Sequence, residues 1–220
     1  MKCRYHTVMF DLDGTLSDSA QGVHDGIVTA LTEMSVPIPD LSDRSQYVGP
    51  PLLSTFQRLC GMTEERAKEA LVRYRKAYSR NGKFKNRLYE GMDGLLRDLK
   101  KSGATVAVTT SKFDEFAKDV LDYLDIRQYF DLVCGSNPDG SRKEKVEVVR
   151  YAAGLLGCEI TRDMVLIGDT AFDARGAMEA GCDFIAVSYG YGNMEEIKSL
   201  GTDKLTDTVD GLRTFLFFEV

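Results

Sequence analysis

The chain has 220 residues, 43% of them hydrophobic and 28% charged, and a formal net charge of −6 at pH 7. That length suits one large domain, or one domain carrying a smaller insertion. The negative balance, with no basic run and no aromatic-basic interleaving, excludes a nucleic-acid surface. Five scattered cysteines (Cys3, Cys60, Cys134, Cys158, Cys182) never form a Cys-x-x-Cys pair. Neither a disulfide framework nor a zinc site is indicated, and a reducing, cytoplasmic setting is expected. Asp11 and Asp13 interrupt the early apolar run that a signal peptide would need, and no segment reaches the ~20 apolar residues of a membrane span.

In chain order, the first element is a short apolar strand from Val8 that runs into Asp11-Leu12-Asp13-Gly14-Thr15. Val23, Ile27, Ala30, Leu31 and Met34 then recur at helical spacing until Val36-Pro37-Ile38-Pro39 stops the helix. A second helix is predicted at Leu52 to Leu59. A third opens at Thr63, a natural N-cap followed by Glu64 and Glu65, and ends at Asn81-Gly82. From about Ser17 to Tyr89 no strand is predicted, so this stretch reads as an inserted helical unit.

From Met92 the pattern becomes regular. A helix with Leu95, Leu96 and Leu99 ends at Gly103, and the strand Thr105 to Thr109 follows. Then come the helix Phe113 to Leu124, the strand Leu132 to Cys134, the loop Gly135 to Arg142 and the helix Lys145 to Leu156. The strand Met164 to Ile167, the helix Phe172 to Ala180, the strand Phe184 to Val187 and a helix near Thr208 to Leu216 complete the chain. Such alternation implies an α/β fold with a mostly parallel, Rossmann-like sheet covered on both faces. The expected division is a core of residues 1–16 and 90–220 with a small helical cap of residues 17–89.

The chemistry gathers at strand ends. Residues two apart on an extended segment face the same side, so Asp11 and Asp13 are expected to meet at the carboxyl end of the first strand. Open α/β sheets hold their ligands there. At ~4 Å, two carboxylates repel by about 4 kcal/mol at an effective dielectric near 20, which calls for a cation, a shared proton or a covalent task. A calcium loop would need a closing Glu within a dozen residues, and only Ser17, Asp18 and Ser19 follow before the helix.

Gly168-Asp169-Thr170-Ala171-Phe172-Asp173 repeats the design after another apolar strand. By itself Gly-Asp-Thr is most often an N-cap. Beside Asp11 and Asp13, Asp169 and Asp173 imply a hard dication such as magnesium. Thr110 and Ser111 at the end of a strand, before a helix N-terminus, offer what a phosphate oxygen needs. A lysine among Lys143 to Lys145 would supply a fixed positive charge.

These motifs, in this order and each at a strand end, resemble the haloacid dehalogenase superfamily. The likeness covers nearly the whole chain and is greatest to the phosphoglycolate phosphatase-like branch, in which a small helical cap follows the first motif. The resemblance implies a magnesium-dependent phosphatase acting on a small phosphorylated metabolite, phosphoglycolate-like or a nucleoside monophosphate, with the chain a monomer or weak dimer. It implies Asp11 as nucleophile, Asp13 as general acid/base, and Thr110, Ser111 and Lys145 as phosphate binders. The metal set would be Asp11, Asp13, Asp169 and Asp173, the last as ligand or as support for one.

One departure is that close relatives carry Lys-Pro at the third motif, where this chain has Asp139-Gly140-Ser141-Arg142-Lys143-Glu144-Lys145. A related Asp-Gly-x-x-x-x-Lys pattern favours Lys145 over Lys143. Asp13 argues against dehalogenation, which has no leaving oxygen to protonate. The alternatives are a sugar-phosphate mutase, for which His24 is out of pattern, and a catalytically idle binding module. Arg44, Tyr47 and Arg58 are the cap candidates for meeting a substrate, against the commoner role of a surface or packing residue for each.

Overall fold

The computed structural model describes residues 2–137, 142 and 144–218. In chain order the elements are β1 (Thr7–Phe10), β2 (Ser17–Asp18), α1 (Ala20–Glu33), α2 (Leu52–Cys60), α3 (Glu64–Arg80), β3 (Arg87–Leu88), α4 (Met92–Ser102), β4 (Thr105–Phe113) and α5 (Asp114–Tyr123). After these come β5 (Leu132–Ser136), α6 (Lys145–Leu156), β6 (Met164–Gly168), α7 (Ala171–Ala180), β7 (Asp183–Val187), α8 (Met194–Ser199), β8 (Leu205–Thr206) and α9 (Val209–Leu216).

The main sheet runs β5-β4-β1-β6-β7-β8, with every pairing parallel. Side-chain alternation sorts the core into two layers. Val8, Phe10, Val106, Val108, Val165 and Ile167 face one side with residues of α4, α5 and α9. Met9, Ala107, Leu166 and Ala186 face the other with α6, α7 and α8. Both faces are therefore apolar, which is why these strands read as continuous hydrophobic runs.

Helices α1, α2 and α3 bury a separate core of Val23, Ile27, Leu31, Phe56, Tyr74 and Tyr78. Thr63 caps α3 as expected, its hydroxyl accepting from Arg66 N. The helical stretch is not free of strand, as the sequence pattern had suggested. Its two ends pair antiparallel, Ser17 with Leu88 and Asp18 with Arg87. Two-residue strands carry no periodicity that a sequence can display.

Three further expectations are corrected. β1 stops at Phe10, so Asp11 and Asp13 lie in a loop rather than two apart on a strand. β4 runs on to Phe113 past an irregularity between Thr109 and Phe113, because Phe113 re-pairs with Ser136. Thr110 and Ser111 therefore belong to the strand, and the N-terminus of α5 lies beyond them. The short α8 and β8 near the chain's end had no sequence signal strong enough to predict them. No helix among the described residues is long and apolar enough to cross a membrane.

Candidate active site

The order β4-β1-β6 places the candidate motifs on three adjacent strands. Phe10 is level with Val108 on one side and Ile167 on the other, so Asp11 emerges beside Thr109 and Gly168. The Asp11 N–H donates to Ile167 O (2.9 Å), which fixes the loop to β6. The chain then turns on Gly14 at φ 84°, a conformation that favours glycine. A Cβ there would lie 2.2 Å from Asp169 Oδ2, so the turn needs glycine for space as well. Gly190 and Gly192, with no comparable signal in the sequence, also press on Asp169: an added Cβ would lie 2.4 Å from its Oδ2 at Gly190 and 1.8 Å from its backbone oxygen at Gly192.

Asp169 is fully buried. Its Oδ1 accepts from Thr15 Oγ1 (3.2 Å) and its Oδ2 from Tyr191 N (2.8 Å). Asp173, the third residue of α7, has two duties. Its Oδ2 accepts from Thr170 N (3.1 Å) and Thr170 Oγ1 (2.6 Å), closing a capping box. Its Oδ1 lies 2.6 Å from Lys145 Nζ. The N-cap reading of this motif and the acidic-site reading are both realised, on different oxygens of one carboxylate.

Lys145 opens α6 and is 2% exposed. Its ammonium reaches Asp11 Oδ1 (2.8 Å), Asp173 Oδ1 (2.6 Å) and Thr109 O (2.9 Å). Its stem passes against Gly176 of α7, where an added Cβ would come within 2.5 Å. The buried lysine in this place is Lys145; Lys143 lies outside the described residues.

Oxygens of Asp11, Asp169 and Asp173 lie within 4.8 Å of one another. Burial and the Asp173 charge raise the Asp11 carboxyl to about 6 despite the counteracting lysine, because Lys145 is shared between two acids. Burial, with Asp173 and Asp11, pushes Asp169 well above the ordinary carboxylate range. Three neighbouring carboxylates, of which one ammonium touches two, leave about two uncompensated charges when ionised, and uncompensated buried charge costs several kcal/mol per ion. The donor set therefore fits a hard dication that prefers oxygen.

Asp13 is not in this triad. Its Oδ2 lies 2.9 Å from Lys112 Nζ, and its buried Oδ1 has no protein partner among the described residues. Asp11, Asp13, Thr110 and Ser111 all line one cavity of about 410 Å³ between the sheet edge and the helical block. Thr110 is buried, and its hydroxyl accepts from Lys112 N (3.2 Å). Tyr47 also lines the cavity, whereas Arg58 lies on the surface with its guanidinium on Gln46. Arg44 and His24 are not among the lining residues, and His24 pairs with Asp25 (3.1 Å). Lys112 carries no motif signal of its own beyond standing two residues after Thr110 on an extended strand.

A parallel sheet with acids on the loops after β1 and β6, and a buried lysine between them, defines an α/β enzyme with an acidic centre at the carboxyl ends of its strands. The chain belongs to the haloacid dehalogenase-like hydrolases, whose family model matches residues 8–187. It is 38% identical over 211 residues to the tyrosine-protein kinase PtkA of Mycobacterium tuberculosis, covering 95% of this chain and 72% of that protein. It is 35% identical over 196 residues to a 5'-nucleotidase of Pseudomonas aeruginosa, covering 89% and 88%. Among solved structures, a predicted phosphatase from Clostridium acetobutylicum superposes with a TM-score of 0.91 at 37% identity, covering 96% of this chain and 97% of that one.

Proposed function

We propose that the protein is a magnesium-dependent phosphatase that hydrolyses a phosphate monoester through a phosphorylated Asp11. The observation that carries this reading is the meeting of Asp11, Asp169 and Asp173, with Lys145 on Asp11 and Asp173, beside a cavity that Asp11 and Asp13 line. Asp11, Asp169 and Asp173 would hold the magnesium, Asp173 acting largely through Lys145. When bound, the ion offsets the charge of the substrate phosphate and of the carboxylates around it.

In the first step an Asp11 oxygen bonds to phosphorus as the bond to the substrate alcohol breaks, and Asp13 gives its proton to the departing oxygen. In the second, Asp13 takes a proton from water whose oxygen bonds to phosphorus. The Asp11–phosphorus bond breaks, releasing inorganic phosphate and restoring the Asp11 carboxylate and the protonated Asp13. Lys145 holds the Asp11 oxygen in place and stays charged throughout, as the Asp11 and Asp173 carboxylates outweigh the effect of its burial. Thr110 and Ser111 line the phosphate end of the cavity.

The helical block of residues 17–89 would act as the cap, moving on the β2–β3 ribbon to admit substrate and exclude water. It brings Val23, Tyr47, Val48, Leu53, Leu71 and Tyr74 to the cavity, and the core adds Phe113 and Phe116. The Arg75 guanidinium lies over the Phe113 ring, 5.0 Å from its centre, extending that surface. An apolar, partly aromatic chamber of this size favours a large alcohol portion with a planar ring. A nucleoside monophosphate meets that description better than phosphoglycolate. The test is kcat/KM with magnesium across nucleoside monophosphates, phosphoglycolate and sugar phosphates. Nucleotides should lead by at least about tenfold, the effect of roughly 1.4 kcal/mol. A lead by phosphoglycolate would refute the substrate assignment, and no turnover of any phosphate ester would refute the reaction. With His24 on Asp25 and away from the cavity, nothing favours transfer to a second sugar hydroxyl over hydrolysis.

A further inference from the structure

Lys112 is a buried charged group beside the centre that the proposed reaction leaves without a task. Its side chain is 5% exposed and its ammonium lies 2.9 Å from Asp13 Oδ2. It also donates to the Tyr78 hydroxyl (3.0 Å) and lies over the Tyr78 ring, 4.5 Å from its centre. Tyr78 belongs to α3, within the helical block, and is fully buried between Tyr74 and Phe116. The same hydroxyl accepts from Asn86 Nδ2 (3.3 Å), and Asn86 Oδ1 accepts from Ser17 Oγ (3.1 Å) on β2. One polar line thus runs from Asp13 through Lys112, Tyr78 and Asn86 to the strand where the helical block joins the sheet.

We infer that Lys112 is a positioning residue: it fixes the Asp13 carboxyl in the orientation that presents Oδ1 to the leaving oxygen, and it does so only while Tyr78 is docked. This rests on the reading of Asp13 as the proton donor. The physical argument is orientational. Asp13 follows a strand end in a loop, and among the described residues Lys112 is the side chain that grips its carboxylate. Lys112 emerges from β4 and is anchored at its tip by an aromatic hydroxyl from the other unit. With the helical block undocked, Lys112 loses both the hydroxyl and the ring face, and Asp13 loses a fixed partner. Proton donation is thereby tied to closure, so an open site that admits water holds a poorly aimed acid.

The test compares two substrates on the same preparation, which makes the result independent of the folded fraction. The kcat/KM for an alkyl phosphate, whose alcohol needs a proton to leave, is divided by that for p-nitrophenyl phosphate, whose phenolate does not. Both values report the steps up to loss of the alcohol. Lys112→Met should lower the ratio by about 10- to 100-fold, the range that misplacing a general acid produces. Tyr78→Phe, which removes only the hydroxyl, should lower it by a smaller factor, and the double variant should fall no further than Lys112→Met alone. Asp13→Asn is the reference. If Asp13→Asn collapses the ratio and Lys112→Met leaves it unchanged, the positioning role is refuted while the acid role stands. If Asp13→Asn itself leaves the ratio unchanged, the acid reading fails and this inference with it. Equal losses for both substrates in Lys112→Met would make Lys112 a binding or packing residue and would overturn the inference.

Discussion

Replacing Lys145 with methionine keeps the length of the side chain and removes its charge. In the native site that ammonium stands 2.8 Å from Asp11, 2.6 Å from Asp173 and 2.9 Å from Thr109 O. Breaking a buried ion pair by deleting one partner costs about 3–5 kcal/mol, because the other partner is left buried and uncompensated. Here two carboxylates lose the same partner, so the upper part of that range applies. For a chain of this size each kcal/mol shifts Tm by about 2–4 °C, which puts the expected drop on the order of 10 °C. The deficit should be largest where the carboxylates are ionised. Burial lifts Asp11 to about 6, so acidification to pH 5 should protonate it and narrow the gap. The assay is thermal unfolding of Lys145→Met and the parent protein, in chelator, at pH 7.5 and pH 5. A Tm within about 3 °C of the parent at pH 7.5, less than roughly 1 kcal/mol, would refute the charge argument. A large deficit of equal size at both pH values would assign the loss to packing instead.

The same charge balance yields further expectations. Chelation should abolish turnover of any phosphate ester, and magnesium restore it. A carboxyl whose folded value is raised above the ordinary 3.8 holds a proton in the folded state that the unfolded chain has lost. Stability without metal should therefore fall as pH rises from about 4 through 6, and magnesium should raise Tm more at pH 7.5 than at pH 5. Equal stabilisation at both pH values would contradict this. Asp169→Asn should raise the magnesium concentration for half-maximal activity by at least tenfold, as loss of a group that tunes a metal site does. An unchanged requirement would remove Asp169 from the ligand set. Gly14→Ala places a methyl 2.2 Å from Asp169 Oδ2 at φ 84°. It should cost about 1–3 kcal/mol of stability and on the order of a hundredfold in activity, and a fully active variant would show that the turn can move.

Much of this centre was legible because its parts sit at strand ends, where an apolar run breaks into acids or hydroxyls. Asp11, Asp169 and the order of strands and helices from Met92 to Val187 could be read that way. Lys145 could be preferred to Lys143 on the Asp-Gly-x-x-x-x-Lys pattern alone, and Lys143 lies outside the described residues. The parts that could not be read depend on contacts between distant segments. Lys112 gains meaning only when Tyr78, 34 residues earlier, is packed over it. Gly190 and Gly192 matter because Asp169 leaves no room for a Cβ, which no local pattern reveals. The direction of the Asp13 carboxylate could not be read from strand alternation, because β1 ends before Asp11 and the loop brings Asp13 Oδ2 to Lys112. The β2–β3 ribbon, at two residues a strand, is below the length at which alternation can be seen.

The central claim is that Asp11 carries the phosphoryl group and Asp13 carries the proton, and rapid-quench mass spectrometry of two variants tests it directly. With an aryl phosphate and magnesium, Asp13→Asn retains the nucleophile but lacks the base that activates water, so a phosphoryl adduct should accumulate on Asp11. Asp11→Asn should form no adduct and show no turnover. An adduct on Asp13, or near-normal turnover by Asp11→Asn, would contradict the account.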